Sequence, residues 1–418
     1  MRLEPVLRRL ALLLAAWVFC RPIPLAFAAE AAPSPPARIG LERLTGELLE
    51  NNPEIKSARE RWEASKAVVP QARTLPDPKF NVGYTSVAER ETAYGVSQEI
   101  PFPGKLGLRG KIAARQADRV EQEYLATRLR VVAQLKQAYY DLHFVHTSID
   151  IIGKNKLILM NFEKTAEARY QVGQATQQDI LRAQTEISRV LARIATLVQK
   201  RESLQADINR LLNRPPADPL GTPEEIRLTS LTRNLAELSA MLDQSAPLLR
   251  AQLKSVEQGD QAIALAKREY FPDFEVEGGG VRNETFEESG YQILVGIKVP
   301  LYFFSKQRYG VREARAGREA AAQDLRTVKQ DLLFRVKDGV VQVKRAEELI
   351  AILRDGLLPQ ARLTLEASKA GYQVGKVDFL TLLNSLLTLQ ENELELHGEM
   401  AEHEKAVARL EEIIGEAP

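Results

Sequence analysis

Tyr170-Gln171-Val172-Gly173 recurs unchanged as Tyr372-Gln373-Val374-Gly375, 202 residues later, and this repeat is the strongest constraint on the fold. Missing an internal repeat mis-assigns a whole architecture, so its extent comes first. Asn52-Pro53-Glu54-Ile55 corresponds to Ala246-Pro247-Leu248-Leu249, an offset of 194. Pro78-Lys79-Phe80-Asn81-Val82 matches Pro272-Asp273-Phe274-Glu275-Val276 at that same offset, and Ile100-Pro101 matches Val299-Pro300 at 199. Ordered landmarks with a slowly drifting offset are what a duplication followed by small insertions produces. Each half is expected to run helix, strand, turn, strand, long helix, turn, long helix. Residues 39–213 form the first repeat, 214–240 an irregular connector opening on Asn213-Arg214-Pro215-Pro216, and 241–418 the second repeat.

The helices are too long for a globule. No proline occurs from Lys105 to Arg169 or from Ser305 to Leu358. At about 1.5 Å per residue, roughly 60 residues span on the order of 90 Å. Ile180, Ile187, Ile194 and Ile208 fall on one heptad repeat, interrupted by Arg201. Ala183, Val190, Leu197, Leu204 and Leu211 fill the companion positions. Leu135, Leu142 and Ile149 continue the theme, as do Val336, Val343, Ile350 and Leu357. Heptads specify packed coiled-coil seams rather than chemistry. Gly173 and Gly375 suit a left-handed helix end, with Thr176 or Asp179 able to cap the next helix. Each Tyr-Gln-Val-Gly is therefore the tip of a helical hairpin.

Four short segments alternate instead. Phe80, Val82 and Tyr84 alternate with Asn81, Gly83 and Thr85, while Tyr94, Val96 and Ile100 form an apolar row that Gln98 breaks. Phe274 and Val276 alternate with Glu275 and Glu277, and Tyr291, Ile293, Val295, Ile297 and Val299 with Gln292, Gly296 and Lys298. Period-two alternation over about nine or ten residues matches a tilted membrane strand. An open four-stranded sheet cannot lie in lipid with unpaired edges, and four strands cannot close a barrel. Copies must share one: two chains would give eight strands and three would give twelve.

The start of the chain predicts export. Arg2, Arg8 and Arg9 precede an apolar run from Leu10 to Cys20, and Ala26-Phe27-Ala28 is a small-x-small cleavage site. Residues 1–28 are thus a signal peptide and 29–38 a Pro-rich lead-in. Cys20, the sole cysteine, lies inside the signal, after residues (Trp17-Val18-Phe19) too bulky for a lipid-anchor site. The mature chain is left without disulfide or thiol chemistry. With 57 basic and 56 acidic residues, nothing in the charge suggests nucleic acid.

This pattern resembles the TolC family of outer-membrane efflux proteins, or outer membrane factors, over essentially the whole mature chain. Gln98-Glu99-Ile100-Pro101-Phe102-Pro103-Gly104-Lys105 is similar to the family's strand-to-helix junction, and to its heavy-metal cation efflux branch in particular. The resemblance implies a mainly α protein of duplicated coiled-coil hairpins, whose two β-hairpins give four strands to a trimeric twelve-stranded barrel. It implies an outer-membrane location with most of the helical mass in the periplasm. Its implied partners are a periplasmic adaptor, an inner-membrane transporter of the resistance-nodulation-division type, and outer-membrane lipid. Tyr170, Val172, Gly173, Asp179, Tyr372, Val374, Gly375, Asp378, Thr381 and Asn384 would be the adaptor-contact and tunnel-tip residues. Thr381 and Asn384 stand, uncharged, where some members carry an acidic ring.

Glu99, Glu275, Glu277 and Lys298 are candidates for the lumen of the barrel, where acids bias a pore toward cations. His143 and His146 sit three apart on a helix, a spacing more often met in solvated histidines than in a metal site. No catalytic constellation, phosphate loop or cofactor motif occurs, so neither an enzyme nor a cofactor is expected. The expected function is the passive outer-membrane channel of a tripartite efflux pump for small molecules or metal cations. A type I protein secretion duct has the same fold. A periplasmic coiled-coil adaptor is the alternative of another class, and the duplicated membrane strands argue against it.

Overall fold

The computed structural model describes residues 38–87 and 89–416. The signal peptide, Cys20 and residues 29–37 of the lead-in lie outside these. Arg38 already belongs to β1 (Arg38–Ile39), paired in parallel with β4 (Thr222–Pro223). The first repeat continues as α1 (Leu41–Asn51), α2 (Pro53–Arg73), β2 (Lys79–Ser86), β3 (Arg90–Ile100), α3 (Lys105–Gln171) and α4 (Gln177–Leu211). The second contains α5 (Leu235–Ser245), α6 (Pro247–Arg268), β5 (Asp273–Asn283) and β6 (Glu288–Lys298). A π-helical turn then leads into α7 (Arg308–Ile352), a second π-helical turn (Leu353–Leu357), α8 (Leu358–Gln373) and α9 (Phe379–Ile414). At 67 residues, α3 is about 100 Å long. Its length lets it touch α2, α4, α6 and α9 in turn.

The duplication is physical. Leu44, Leu48 and Ile55 pack beside Leu135 and Leu142 in one buried cluster. Leu238, Leu242 and Leu249, each 194 residues on, pack beside Val336 and Val343, each 201 residues on, in another. Both repeats also close in the same way. Proline opens α2 and α6, where a missing N–H is harmless. A polar residue one or two places before it reaches the end of the last helix: Asn52 Nδ2 donates to Leu211 O (2.8 Å), and Ser245 Oγ to Ile414 O (2.8 Å). α5, the counterpart of α1, begins at Leu235, inside the span 214–240.

The offset of 201 at Leu135/Val336 becomes 202 at Tyr170/Tyr372, so α7–α8 carries one extra residue. The π-helical turn at Leu353–Leu357 accommodates it, just before Pro359, whose ring and missing N–H disfavour ordinary helix there. The turn shifts the heptad phase. Leu357, expected in the apolar stripe, is exposed, and Leu358 takes the core position.

The third cluster joins the two coiled coils near the tips, with Ile152, Leu159 and Phe162 of α3 against Leu382, Leu386 and Leu394 of α9. Two buried polar contacts punctuate it: Asn155 Nδ2 donates to Gln390 Oε1 (3.2 Å), and the Ser368 and Ser385 hydroxyls share a bond of 2.9 Å. Polar pairs in an apolar seam favour one register over its neighbours.

Candidate functional site

The sheet has the order β2-β3-β5-β6, antiparallel throughout, so β3 and β5 knit the two repeats together. Its register brings Phe80 to Val96, Val82 to Tyr94, Ile100 to Phe274, Phe274 to Ile297 and Val276 to Val295. All of these point to one face, which lies almost bare: Phe80 is 79% and Tyr291 88% exposed. Gln98, which interrupts that row, donates from Nε2 to Pro76 O (2.7 Å), so its amide is satisfied by the incoming chain. Gly280 lies beneath the Tyr94 ring, where an added Cβ would come within 2.6 Å of it.

The opposite face carries all four lumen candidates. Glu99 stands directly across from Glu275, Ser97 from Glu277, and Asp273 from Lys298. Lys298 Nζ comes to 3.8 Å of Glu99 Oε1. Like charges directly opposite are destabilising, and water on that face is what makes them tolerable. Both outer edges, on β2 and β6, are unpaired among the described residues.

The helical tips end alike. In the first, Gln174 N donates to Arg169 O (2.8 Å) around Gly173 at φ +73°. In the second, Lys376 N donates to Gly371 O (2.9 Å) around Gly375 at φ +76°. This bond across a left-handed residue satisfies the last helix carbonyls. Thr176 caps α4, with Asp179 Oδ2 accepting from Thr176 N (3.2 Å). Asp378 caps α9, accepting from Thr381 N (2.8 Å). Both tip acids are therefore engaged by backbone, while Thr381 and Asn384 are exposed.

The two tips differ in burial. Tyr170 is 47% exposed and Tyr372 only 4%. Tyr372 belongs to the buried cluster near the tips, and Arg169 of the first tip covers it, stacking its guanidinium 4.7 Å above the Tyr372 ring and donating to Tyr372 O. Phe379 meets the same ring edge-on at 5.8 Å. Burial pushes the Tyr372 hydroxyl pKa up, and Asp179 adds to it. Val172 and Val374 stay exposed at the two ends. Arg169 escapes sequence reasoning because it looks like any basic residue in a last helical turn.

His143 and His146 are both half-buried. His143 lies within electrostatic reach of His146 and of His397 on α9, and burial, foremost, holds His143 below the usual imidazole range. Among the described residues no three His, Cys, Asp or Glu converge on a common point. Nor is any described helix long and apolar enough to cross a membrane.

The sequence profile of the outer membrane efflux protein family matches residues 44–214 and 238–416, the two halves of this architecture. The chain belongs to that family. Membership places it among efflux channels, not enzymes. Over 372 residues it is 19% identical to the cobalt-zinc-cadmium resistance protein CzcC of Cupriavidus metallidurans, covering 87% of each chain. In fold it is similar to CusC, with a TM-score of 0.81 at 15% identity over 93% of this chain and 96% of that one. The open-state outer membrane channel MtrE of Neisseria gonorrhoeae gives a TM-score of 0.77 at 17% identity, over 90% and 89% of the two chains.

Proposed function

We propose that three copies of this outer membrane efflux protein close a twelve-stranded barrel and a periplasmic helical tunnel. The trimer would be the passive exit channel of a tripartite pump for small molecules or metal cations. One observation carries the reading: a four-stranded sheet, greasy on one face and unpaired at both edges among the described residues, is borne on long helices, of which α3 is about 100 Å long. Such a sheet is stable in lipid only when its edges meet those of other copies. The acids on the inner face (Glu99, Glu275, Glu277) favour a cationic cargo, in keeping with the name of the metal-resistance relative. Fractionation with unboiled gel electrophoresis is expected to give an outer-membrane species running as a trimer that dissociates on heating. A soluble periplasmic monomer would refute this.

The tips are the docking end for a periplasmic adaptor, behind which stands an inner-membrane transporter of the resistance-nodulation-division type. The bare valines Val172 and Val374 and the tight left-handed turns present a surface that tolerates little added bulk or charge. Gly173→Asp and Gly375→Asp are expected to abolish export while leaving the amount of trimer unchanged. Gly173→Asn and Gly375→Asn serve as controls, since asparagine enters the left-handed region at lower cost than most residues. Full export by both Asp variants would remove the tips from the mechanism.

A further inference from the structure

The duplication supplies a template for the contact between copies. Within one chain, the exit of the first hairpin seats on the entry of the second. Phe102 stacks on Phe271 (4.6 Å), and Phe102 N donates to Asp273 Oδ1 (2.7 Å). Lys105, only 1% exposed, donates from Nζ to Phe271 O (3.1 Å) and Asp273 Oδ1 (2.8 Å), and lies 3.1 Å from Glu269 Oε2. This seat lies at the end of the β3–β5 ladder, whose last pair is Ile100 with Phe274.

The second exit and the first entry have the same parts and no seat. Lys306 follows Lys105 by 201 residues, the offset that also relates Leu135 to Val336. It is exposed and has no ion pair among the described residues. Leu301, Tyr302 and Phe304 beside it are bare. Leu301, Tyr302 and Lys306 border a cavity of about 490 Å³ that backs onto Lys105 and Asp273 of the first seat, and whose wall includes Gln307, with its Oε1 buried and unpartnered. On the entry side, Leu75 and Asp77 are exposed, and β2 offers a free edge as β6 does.

We propose that the Val299–Lys306 exit of one copy seats on the Leu75–Lys79 entry of the next, with β6 pairing antiparallel to the neighbour's β2. This rests on the trimeric barrel reading above and adds the register, which the repeat offsets fix. Exits align Ile100 with Val299, and entries align Phe274 with Phe80. The Ile100–Phe274 pair thus becomes Val299–Phe80 between copies. Stepping along the strands, Glu99–Glu275 becomes Lys298–Asn81, Gln98–Val276 becomes Ile297–Val82, and Val96–Gly278 becomes Val295–Tyr84. The greasy face stays continuous across the seam, whereas a one-residue slip would turn every side chain over. The acid has moved between repeats: Lys79 stands in the place of Asp273, and Asp77 in the place of Phe271, whose carbonyl receives Lys105. Asp77 is therefore the partner of Lys306.

Cys20 is the sole cysteine, and cleavage of the expected signal peptide would leave no native cysteine to confuse a cross-linking test. Directly opposed antiparallel residues have Cα atoms about 4.5–5.5 Å apart, inside the disulfide range, and a two-residue shift adds about 6.8 Å along the strand. In outer-membrane fractions from cells making the full chain, Asn81→Cys with Lys298→Cys is expected to yield heat-resistant, reducible dimers and trimers. Asn81→Cys with Gly296→Cys should give at least tenfold less. Lys306→Glu and Asp77→Lys should each lower the unboiled trimer roughly tenfold, and together should restore it. Stronger cross-linking at Gly296, or no restoration by the double reversal, overturns the seam while a wild-type trimer leaves the barrel standing. A wild-type monomer would overturn the barrel and the seam with it.

Discussion

Lys105→Met is expected to cause one of the two largest losses that can be assigned to single residues, and it should do so where the first hairpin seats on the second. Methionine keeps most of the length of lysine and removes the charge. Asp273 would then keep only the Phe102 amide as a close donor, and Phe271 O would lose its side-chain partner. Breaking a buried pair by deleting one member costs about 3–5 kcal/mol, because the remaining charge is left uncompensated. The Glu269 arm adds little, since that carboxylate is 40% exposed and water screens it. Because Lys105 holds the first hairpin against the second, the loss should appear in assembly as well as in stability. Unboiled electrophoresis over a temperature series is the measurement. The variant trimer is expected to dissociate well below the wild-type temperature, and an unchanged dissociation temperature would show that the lysine is only a passenger.

How much of this could be read from the residues alone depends on the range of each signal. The tips were legible because a helix end is local: Gly173 and Gly375 announce the left-handed turn, and Thr176 caps the helix that follows the first, whereas the Asp378 cap on the second emerges only in the structure. The strands were legible because alternation survives in each segment, and the one break, Gln98, has its own bond to Pro76. The π-helical turn was not, since inserting one residue leaves Val336, Val343 and Ile350 in phase and shows only at Leu357. Pro359 was its one local mark. Lys105 was visible as part of a junction but not as a buried lysine, because its partners lie more than 160 residues away. Arg169 and Thr229 are hidden for the same reason: each acts on an element that its own neighbourhood does not predict. Glu404 did leave a trace. It falls between Ala401 and Ala408 at helical spacing, on a face that is otherwise apolar and buried.

That trace leads to the second large effect, expected in Glu404→Ala. Glu404 is 2% exposed and anchors the connector to the helices. Its carboxylate accepts from Thr229 N (2.7 Å), Thr229 Oγ1 (2.9 Å) and Tyr140 Oη (3.3 Å), and it is bonded to His403 Nδ1 (2.9 Å). Alanine would remove these bonds and leave His403, itself buried, without its neighbouring carboxylate; breaking such a buried pair costs about 3–5 kcal/mol, with the connector as the segment released. Tryptic cleavage after the exposed Arg227 reports that release and is expected to accelerate roughly a hundredfold or more, at about 1.4 kcal/mol per tenfold. The difference should also depend on pH. Burial alone would raise the Glu404 carboxyl, but the bonds from His403 and Thr229 hold it below the usual carboxylate range. Its contribution is present above the unfolded value near 4.3 and is lost as pH falls through the folded one. Burial alone would lower His403, but Glu404 and then Glu347 raise it, so its contribution is present below about 6.5 and is lost as pH rises through the folded value. The gap between wild type and Glu404→Ala should therefore be widest at mildly acidic to neutral pH and narrow on both sides. A gap that is flat with pH, or cleavage after Arg227 no faster than in wild type, would show that the connector is held by packing and not by this carboxylate.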